Sequence, residues 1–255
     1  MNSHFIRYTQ YGQIFIAPED DPDWIVDVML ETGYDDEFCY ALDFDPAFIA
    51  ALMRAGFLVM SAAVDPACGP DGKLYSNYGP RHLLLPKLHL ERSALFWKDL
   101  HETGTARRLL KRYELRYDAD FDRILDRCVQ VHGGGWLTPP LLQSIRAIRA
   151  FDNGPVRPVS FALYRNGELV AGEFGVVTGR VYTSYSGYRD EDSAGTVQLA
   201  LTGRYLRDAG FAFWDLGMPL DYKDRLGARN ISPRLFVDLF RKALVTVGNY
   251  DKILP

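Results

Sequence analysis

Two carboxylates stand inside strand-forming sequence. Asp215 lies at the end of the apolar-aromatic run Phe211–Leu216, and Glu173 interrupts the run Glu168–Val177. A carboxylate at a strand end can move a proton, or it can be an ordinary turn residue. A carboxylate among apolar neighbours is costly unless it is paired. Tyr182, Tyr185 and Tyr188 are interleaved with Ser184 and Ser186. In a regular strand Tyr185 faces opposite to the two serines. Such polar groups could bind substrate, while the β-propensity of tyrosine offers a plainer reason for them. Trp136 follows three glycines. It is either a stacking platform for an unpaired base or a core residue at a helix entry. Arg107, Arg108, Lys111 and Arg112 form a basic group of the kind that grips phosphates.

Other chemistries find little support. His82, His89 and His101 are spaced too irregularly for a ligand set, so no metal is expected. Cys39, Cys68 and Cys128 are odd in number and far apart, which argues against a disulfide framework. Cys128 lies on an apolar helical face, where packing is the default. There is no G-x-S-x-G elbow, no G-x-G-x-x-G and no G-K-[ST]. The loop Gly187–Gly195 could approach a pyrophosphate at a helix start. Its acids Asp190, Glu191 and Asp192 would repel one. Coenzyme A and nucleotides are therefore disfavoured, and no cofactor is expected.

The 255 residues suit one large domain or two modest ones. Hydrophobic residues make up 47% and charged ones 24%, which fits a sizeable core rather than disorder. No run approaches a membrane span of about 18 residues, and the start lacks a signal-peptide pattern. A cytoplasmic monomer without membrane partners is expected. The net charge of −4 conceals a split. Residues 1–60 carry eleven acids against Arg7 and Arg54, while residues 81–116 carry nine bases against four acids. The second segment is a candidate polyanion face, unless the two segments neutralise each other.

The positioning elements follow from turns and periodicity. Asp45-Pro46 reads as a helix N-cap and first-turn proline, with the helix ending at Gly56. Residues 65–80 are turn-rich and form the best internal boundary, giving a small domain over 1–80 and a larger one over 81–255. LLLPKLHL reads as an edge strand because of Pro86. Helices are expected over Asp118–His132 and from Thr138-Pro139 onward. Val156–Tyr164, a turn at Asn166-Gly167, Glu168–Val177, a turn at Thr178-Gly179 and Arg180–Tyr188 form three antiparallel strands. A helix over about Ala194–Asp208, the strand Phe211–Leu216 and a helix from about Pro233 to Val247 complete the chain. This order is the layout of an α/β (α+β) fold of the N-acetyltransferase-like (GNAT) type, a mixed sheet flanked by helices.

Several segments together resemble the leucyl/phenylalanyl-tRNA–protein transferase family. Trp136-Leu137-Thr138-Pro139 looks like its Trp-Ile/Leu-Thr-Pro helix opening. Glu168–Val176 resembles its E-L-V-G-G-x-Y-G-V strand, Leu226–Ile231 its L-G-A-R-x-I, and Leu88–Ser93 its L-H-I-S-R-S. Trp214-Asp215-Leu216 matches its Ile-Asp strand position. The matches run in order from about Tyr40 to Leu244. The chain also departs from the pattern. Gly217 stands where the family has Gln, Tyr185 where it has Glu, and Glu173 where it has a hydrophobic residue. Phe57-Leu58-Val59-Met60 lacks the family's Trp, and Gly195-Thr196 replaces a Ser-Lys helix opening.

The resemblance implies an enzyme that joins an amino acid from aminoacyl-tRNA to the N-terminus of a protein or peptide. An aminoacyl ester is already activated, so orientation can supply roughly 7–11 kcal/mol without a covalent nucleophile. On this reading Asp215, Gly217 and Tyr185 occupy catalytic positions, with Asp215 receiving the α-ammonium. Trp136, Glu173, Ser184, Ser186 and Tyr188 would bind substrate, Trp136 by stacking on the terminal adenine. Arg107, Arg108, Lys111 and Arg112 would hold the acceptor stem. Glu173 would make the pocket accept a polar or cationic aminoacyl group, or none. The rivals are a CoA-dependent N-acyltransferase and a non-catalytic tRNA- or peptide-binding descendant.

Overall fold

The computed structural model describes residues 5–64 and 81–245; the turn-rich boundary stretch 65–80 lies outside them. The chain forms two compact units, residues 1–88 with 132–153 and residues 89–131 with 154–255. This division differs from the expected one at residue 80. It assigns residues 81–88 and the segment around Trp136 to the first unit.

The first unit contains β1 (Arg7–Tyr8), β2 (Ile14–Phe15), α1 (Pro22–Thr32), α2 (Pro46–Arg54), β3 (Leu58–Val64) and β4 (Arg81–Lys87). Asp21 and Asp45 cap α1 and α2 with their side chains, each followed by a proline that has no N–H to lose. Strands β3 and β4 pair with each other, Val59 opposite Pro86, and on its other side β4 meets Phe38 and Ala41 in isolated bridges, where Pro86 only accepts, its carbonyl taking the Cys39 N–H. A further helix (Pro139–Arg149) belongs to this unit. Thr138 stands at its start but does not cap it. Its hydroxyl meets Ser61 Oγ at 2.8 Å instead.

In the second unit, β5 (Arg92–Leu95), α3 (Gly104–Leu109), β6 (Glu114–Tyr117) and α4 (Phe121–His132) come first. With the helix of Pro139–Arg149 numbered α5, β7 (Arg157–Arg165), β8 (Glu168–Thr178), β9 (Val181–Arg189), α6 (Ala194–Asp208), β10 (Phe213–Gly217), α7 (Asp221–Leu226), β11 (Arg229–Ile231) and α8 (Pro233–Val245) follow. Seven strands form one sheet in the order β11-β5-β10-β9-β8-β7-β6. The meander β7-β8-β9 is antiparallel, and Asn166 and Gly167 both take positive φ at its first turn. After β9 the chain crosses through α6 and returns as β10, parallel to β9. This is the mixed, helix-flanked sheet that the element order implies. Strands β5, β6 and β11, which sequence periodicity does not resolve, extend it at both edges.

Buried side chains pack on both faces of this sheet: Phe121 meets Phe174 on the α4 side, and further clusters lie on the α6 side. Phe161, Tyr182, Leu206, Trp214, Leu216 and Leu226 are buried together. A second cluster sets Leu163, Val170 and Ala171 against Ala194 and Val197. Full burial of one such side chain contributes roughly 1.5–3 kcal/mol.

Candidate functional site

Two irregularities open the middle of the sheet. The pairing of β9 with β10 runs from Val181/Phe213 to Thr183/Asp215, although β9 continues to Arg189. Along β9, Val181–Thr183 are buried, Ser184–Gly187 are half-exposed and Tyr188 is buried again. Solvent therefore reaches a central strand at the point where its parallel neighbour ends. The second irregularity is a bulge. Phe174 pairs with Ser186 and Gly175 with Ser184, so Tyr185 is an extra residue. Gly175 tolerates this because it has no side chain: a Cβ there would lie 2.2 Å from the Thr183 carbonyl oxygen.

The bulge rearranges the expected faces. Phe174 and Gly175 are neighbours on β8 and point to opposite faces, so their partners Ser186 and Ser184 do as well. The regular-strand expectation, with both serines on one face, does not hold. Tyr185 lies with Phe174, its ring centroid 5.9 Å away. Tyr188 is on the α4 face, where its ring meets the space over Gly172 beside Ile124. Ser186, Tyr185 and Tyr188 are thereby separated from Ser184 and Glu173.

On the face of Ser184, a polar group is enclosed by the core. Trp214 Nε1 donates to Ser184 Oγ at 2.8 Å, and Ser184 Oγ donates to Glu173 Oε2 at 3.5 Å. Glu173 is 7% exposed, and Gly187 stands opposite it. Burial pushes its carboxyl up to about 8, opposed by Ser184, Lys223 and Tyr182. The Tyr182 hydroxyl faces the carboxylate, yet neither it nor Glu173 Oε1 closes a hydrogen bond of normal geometry. Lys223, on α7, is also buried. Its Nζ donates to the Leu216 and Met218 carbonyls at 2.5 and 2.7 Å. Burial lowers its ammonium to about 8, against the attraction of Asp215 and Glu173.

Asp215 belongs to the other face. Thr183, one residue before Ser184, donates to its Oδ2 at 2.8 Å. Arg92 adds a bidentate pair, Nε to Oδ1 at 2.8 Å and Nη2 to Oδ2 at 2.6 Å. The Gly217 N–H donates to Oδ1 at 3.0 Å, with Gly217 itself at φ 70°. Arg92 and Asp215 are 1% and 0% exposed, and the guanidinium lies 4.2 Å from the centre of the Phe236 ring. The carboxylate expected to receive an α-ammonium is thus already paired by the protein. Arg92, Thr183, Trp214, Tyr182 and Lys223 carry no motif that singles them out as a set in the sequence. Lys223 has one signal: it shares a helix face with buried Leu226 three residues on.

The remaining expected residues are spread more widely. Trp136 is half-buried in the first unit, its carbonyl accepting from Ser61 N and Oγ. Arg107, Arg108, Lys111 and Arg112 are exposed on α3 and the turn after it. In the loop before α6, Arg127 pairs with Asp190 and Arg165 with Glu191, leaving Asp192 exposed. Two of the three acids invoked against pyrophosphate are therefore neutralised. Among the described residues no group of His, Cys, Asp and Glu is arranged to hold a metal, and no helix is long and apolar enough to cross a membrane.

A family model, leucyl/phenylalanyl-tRNA protein transferase, matches residues 94–241, more than half of the chain. The protein belongs to this family. The match contains β7 to β10, the bulge, Glu173, Asp215 and Lys223. A leucyl/phenylalanyl-tRNA–protein transferase of Pseudomonas putida is 32% identical over 152 residues, 58% of this chain and 66% of that protein. One of Pseudomonas paraeruginosa is 29% identical over 218 residues, 78% of this chain and 90% of that protein. Among solved structures, a GCN5-related N-acetyltransferase from Kribbella flavida aligns over 86% of this chain and 75% of its own. Its TM-score is 0.37 at 13% identity, too loose a likeness to bear on chemistry. The family is one of aminoacyltransferases.

Proposed function

We propose that this protein transfers an amino acid from aminoacyl-tRNA to the N-terminal amine of a protein or peptide, forming a peptide bond. The observation that carries the reading is that the family match spans the whole opened region of the sheet, from β7 through the bulge to α7. The acceptor amine and the ester meet where β9 leaves β10. The protein's part is to hold them together, which is the larger share of the barrier for an activated ester. Asp215 acts as a positioning residue. By holding Arg92, Thr183 and the Gly217 N–H, it fixes the end of β10 against β5 and β9.

Gly217 and Tyr185, at positions where the family has Gln and Glu, supply backbone shape and a bulge instead of a relay. The exposed quartet Arg107, Arg108, Lys111 and Arg112 grips the acceptor stem. Ser184 lies on the substrate path at the opening, while Ser186 and Tyr188 line the α4 face. The reaction needs no cofactor beyond aminoacyl-tRNA as co-substrate, and it proceeds in the cytoplasm with the protein as a monomer.

The test is incubation with a full set of radiolabelled aminoacyl-tRNAs and model acceptor peptides. Label should move to the peptide N-terminus from at least one donor. Binding of tRNA without transfer would make the protein a tRNA-binding descendant. A rise in melting temperature with acetyl-CoA, together with acyl transfer from it, would replace the reading by the CoA-dependent one.

A further inference from the structure

We propose that Glu173 is the general base of the transfer, a carboxylate on β8 that serves the opened stretch of β9 while Asp215 remains locked in its pair with Arg92. The inference rests on the aminoacyl-transfer reading above and adds the group that takes the proton.

Three observations carry it. Glu173 is buried, and its Oε1 faces only the neutral Tyr182 hydroxyl, with which it closes no hydrogen bond of normal geometry. Its other oxygen meets Ser184, which is half-exposed in the gap beyond the last β9–β10 pair. Tyr222, on α7 and electrostatically coupled to Glu173, is 43% exposed. Asp215 offers none of this, because all of its contacts are made by Arg92, Thr183 and Gly217.

The charged and titratable groups facing Glu173 come from each neighbouring element. They are Ser184 and Tyr182 on β9 and Lys223 and Tyr222 on α7, while Cys128 on α4 acts across the sheet from its opposite face. Lys223 attracts the ionised form, while burial opposes it more strongly. A base poised near the pKa of an α-ammonium, about 7.7–8.0, removes its proton with little energetic mismatch.

The acceptor R–NH3+ gives one proton to the Glu173 carboxylate and becomes R–NH2. The amine lone pair forms a C–N bond to the ester carbonyl carbon, and the carbonyl π pair moves onto oxygen. Collapse of that intermediate re-forms the carbonyl and breaks the bond to the ribose oxygen, which leaves with the bonding pair and takes the proton back from Glu173. The nitrogen releases its second proton to solvent. Nothing is oxidised or reduced.

The experiment measures kcat across pH 6 to 9.5 for the full-length protein, with whichever aminoacyl-tRNA and acceptor peptide the wild type uses. In wild type, kcat should rise and level off above an apparent pKa of about 8. Glu173→Gln should lower kcat about 10²–10⁴-fold and leave only the limb set by the acceptor amine itself. Glu173→Ala should regain part of the activity with added formate, which a purely structural role would not allow. Lys223→Met should move the limb upward, since the attraction that favours the ionised carboxylate is gone.

A Gln variant with wild-type kcat and an unchanged limb overturns the proposal. So does a variant that changes donor preference while kcat with its own preferred donor stays at the wild-type level; Glu173 would then be a donor-recognition residue. Absence of transfer by the wild type from every aminoacyl-tRNA overturns the aminoacyl-transfer reading itself, a result distinct from either.

Discussion

The two buried carboxylates of the sheet differ in what surrounds them. Asp215 is saturated: a bidentate arginine, a hydroxyl and a backbone N–H use its oxygens. Glu173, on the opposite face, holds one long contact to Ser184 and keeps Oε1 without a bond of normal geometry. Burial alone therefore does not mark a reactive group. A satisfied pair sets the geometry of β10, whereas an under-satisfied carboxylate keeps a proton affinity that chemistry can use.

Breaking the saturated pair should have the largest effect. Asp215→Ala leaves Arg92 charged and enclosed, and chemical denaturation should show a loss of about 3–5 kcal/mol. Next comes the close approach beside the bulge. Gly175→Ala puts a methyl group against the Thr183 carbonyl, and the same measurement should show a loss of about 1–3 kcal/mol.

The pH dependence of stability sharpens the contrast further. The folded state holds the Glu173 proton from its ordinary 4.5 up to about 8. Unfolding releases that proton, so stability falls as pH rises through this window. Lys223 acts in the opposite sense. Its folded ammonium is lost near 8 rather than 10.5, so stability recovers between these values. Glu173→Gln should flatten the lower window and leave the upper one, as followed by melts at stepped pH. A variant that retains the full fall would remove the contrast between the two carboxylates.

The remaining effects are smaller. Trp214→Phe removes the donor to Ser184 and should cost about 1 kcal/mol. Changing Arg107, Arg108, Lys111 and Arg112 together to Ala should leave stability within about 0.5 kcal/mol, as for exposed sites. The same change should weaken tRNA binding and reduce its salt slope by roughly 0.7–0.9 for each phosphate that is no longer neutralised. An unchanged slope would exclude the quartet from the tRNA interface.

Local signals make part of this structure legible. Asn166-Gly167 fixes the first hairpin, Asp45-Pro46 a helix start, and 3–4 spacing the helix α4. Other elements depend on distant partners. β5 buries Arg92, a residue that suggests a surface until Asp215, 123 positions away, supplies the countercharge. β6 alternates charged Glu114 and Arg116 outward, and β11 has three residues, so neither shows a clear period. Within the site, Glu173 is visible in the sequence as a misplaced charge. Its coupling to Lys223 is not, because α7 reads as a short, mostly charged segment.

Tyr185 gives the sheet an unusual editing point. Elsewhere in a strand, removing one residue turns every later side chain to the wrong side. Here the bulge already holds one residue more than its partner, and its neighbours Ser184 and Ser186 already point opposite ways. Excising Tyr185 would shorten β9 while Ser186, Gly187 and Tyr188 keep their present sides. Among the positions of this strand, it is the one where length can drift between descendants without scrambling the downstream half of the strand.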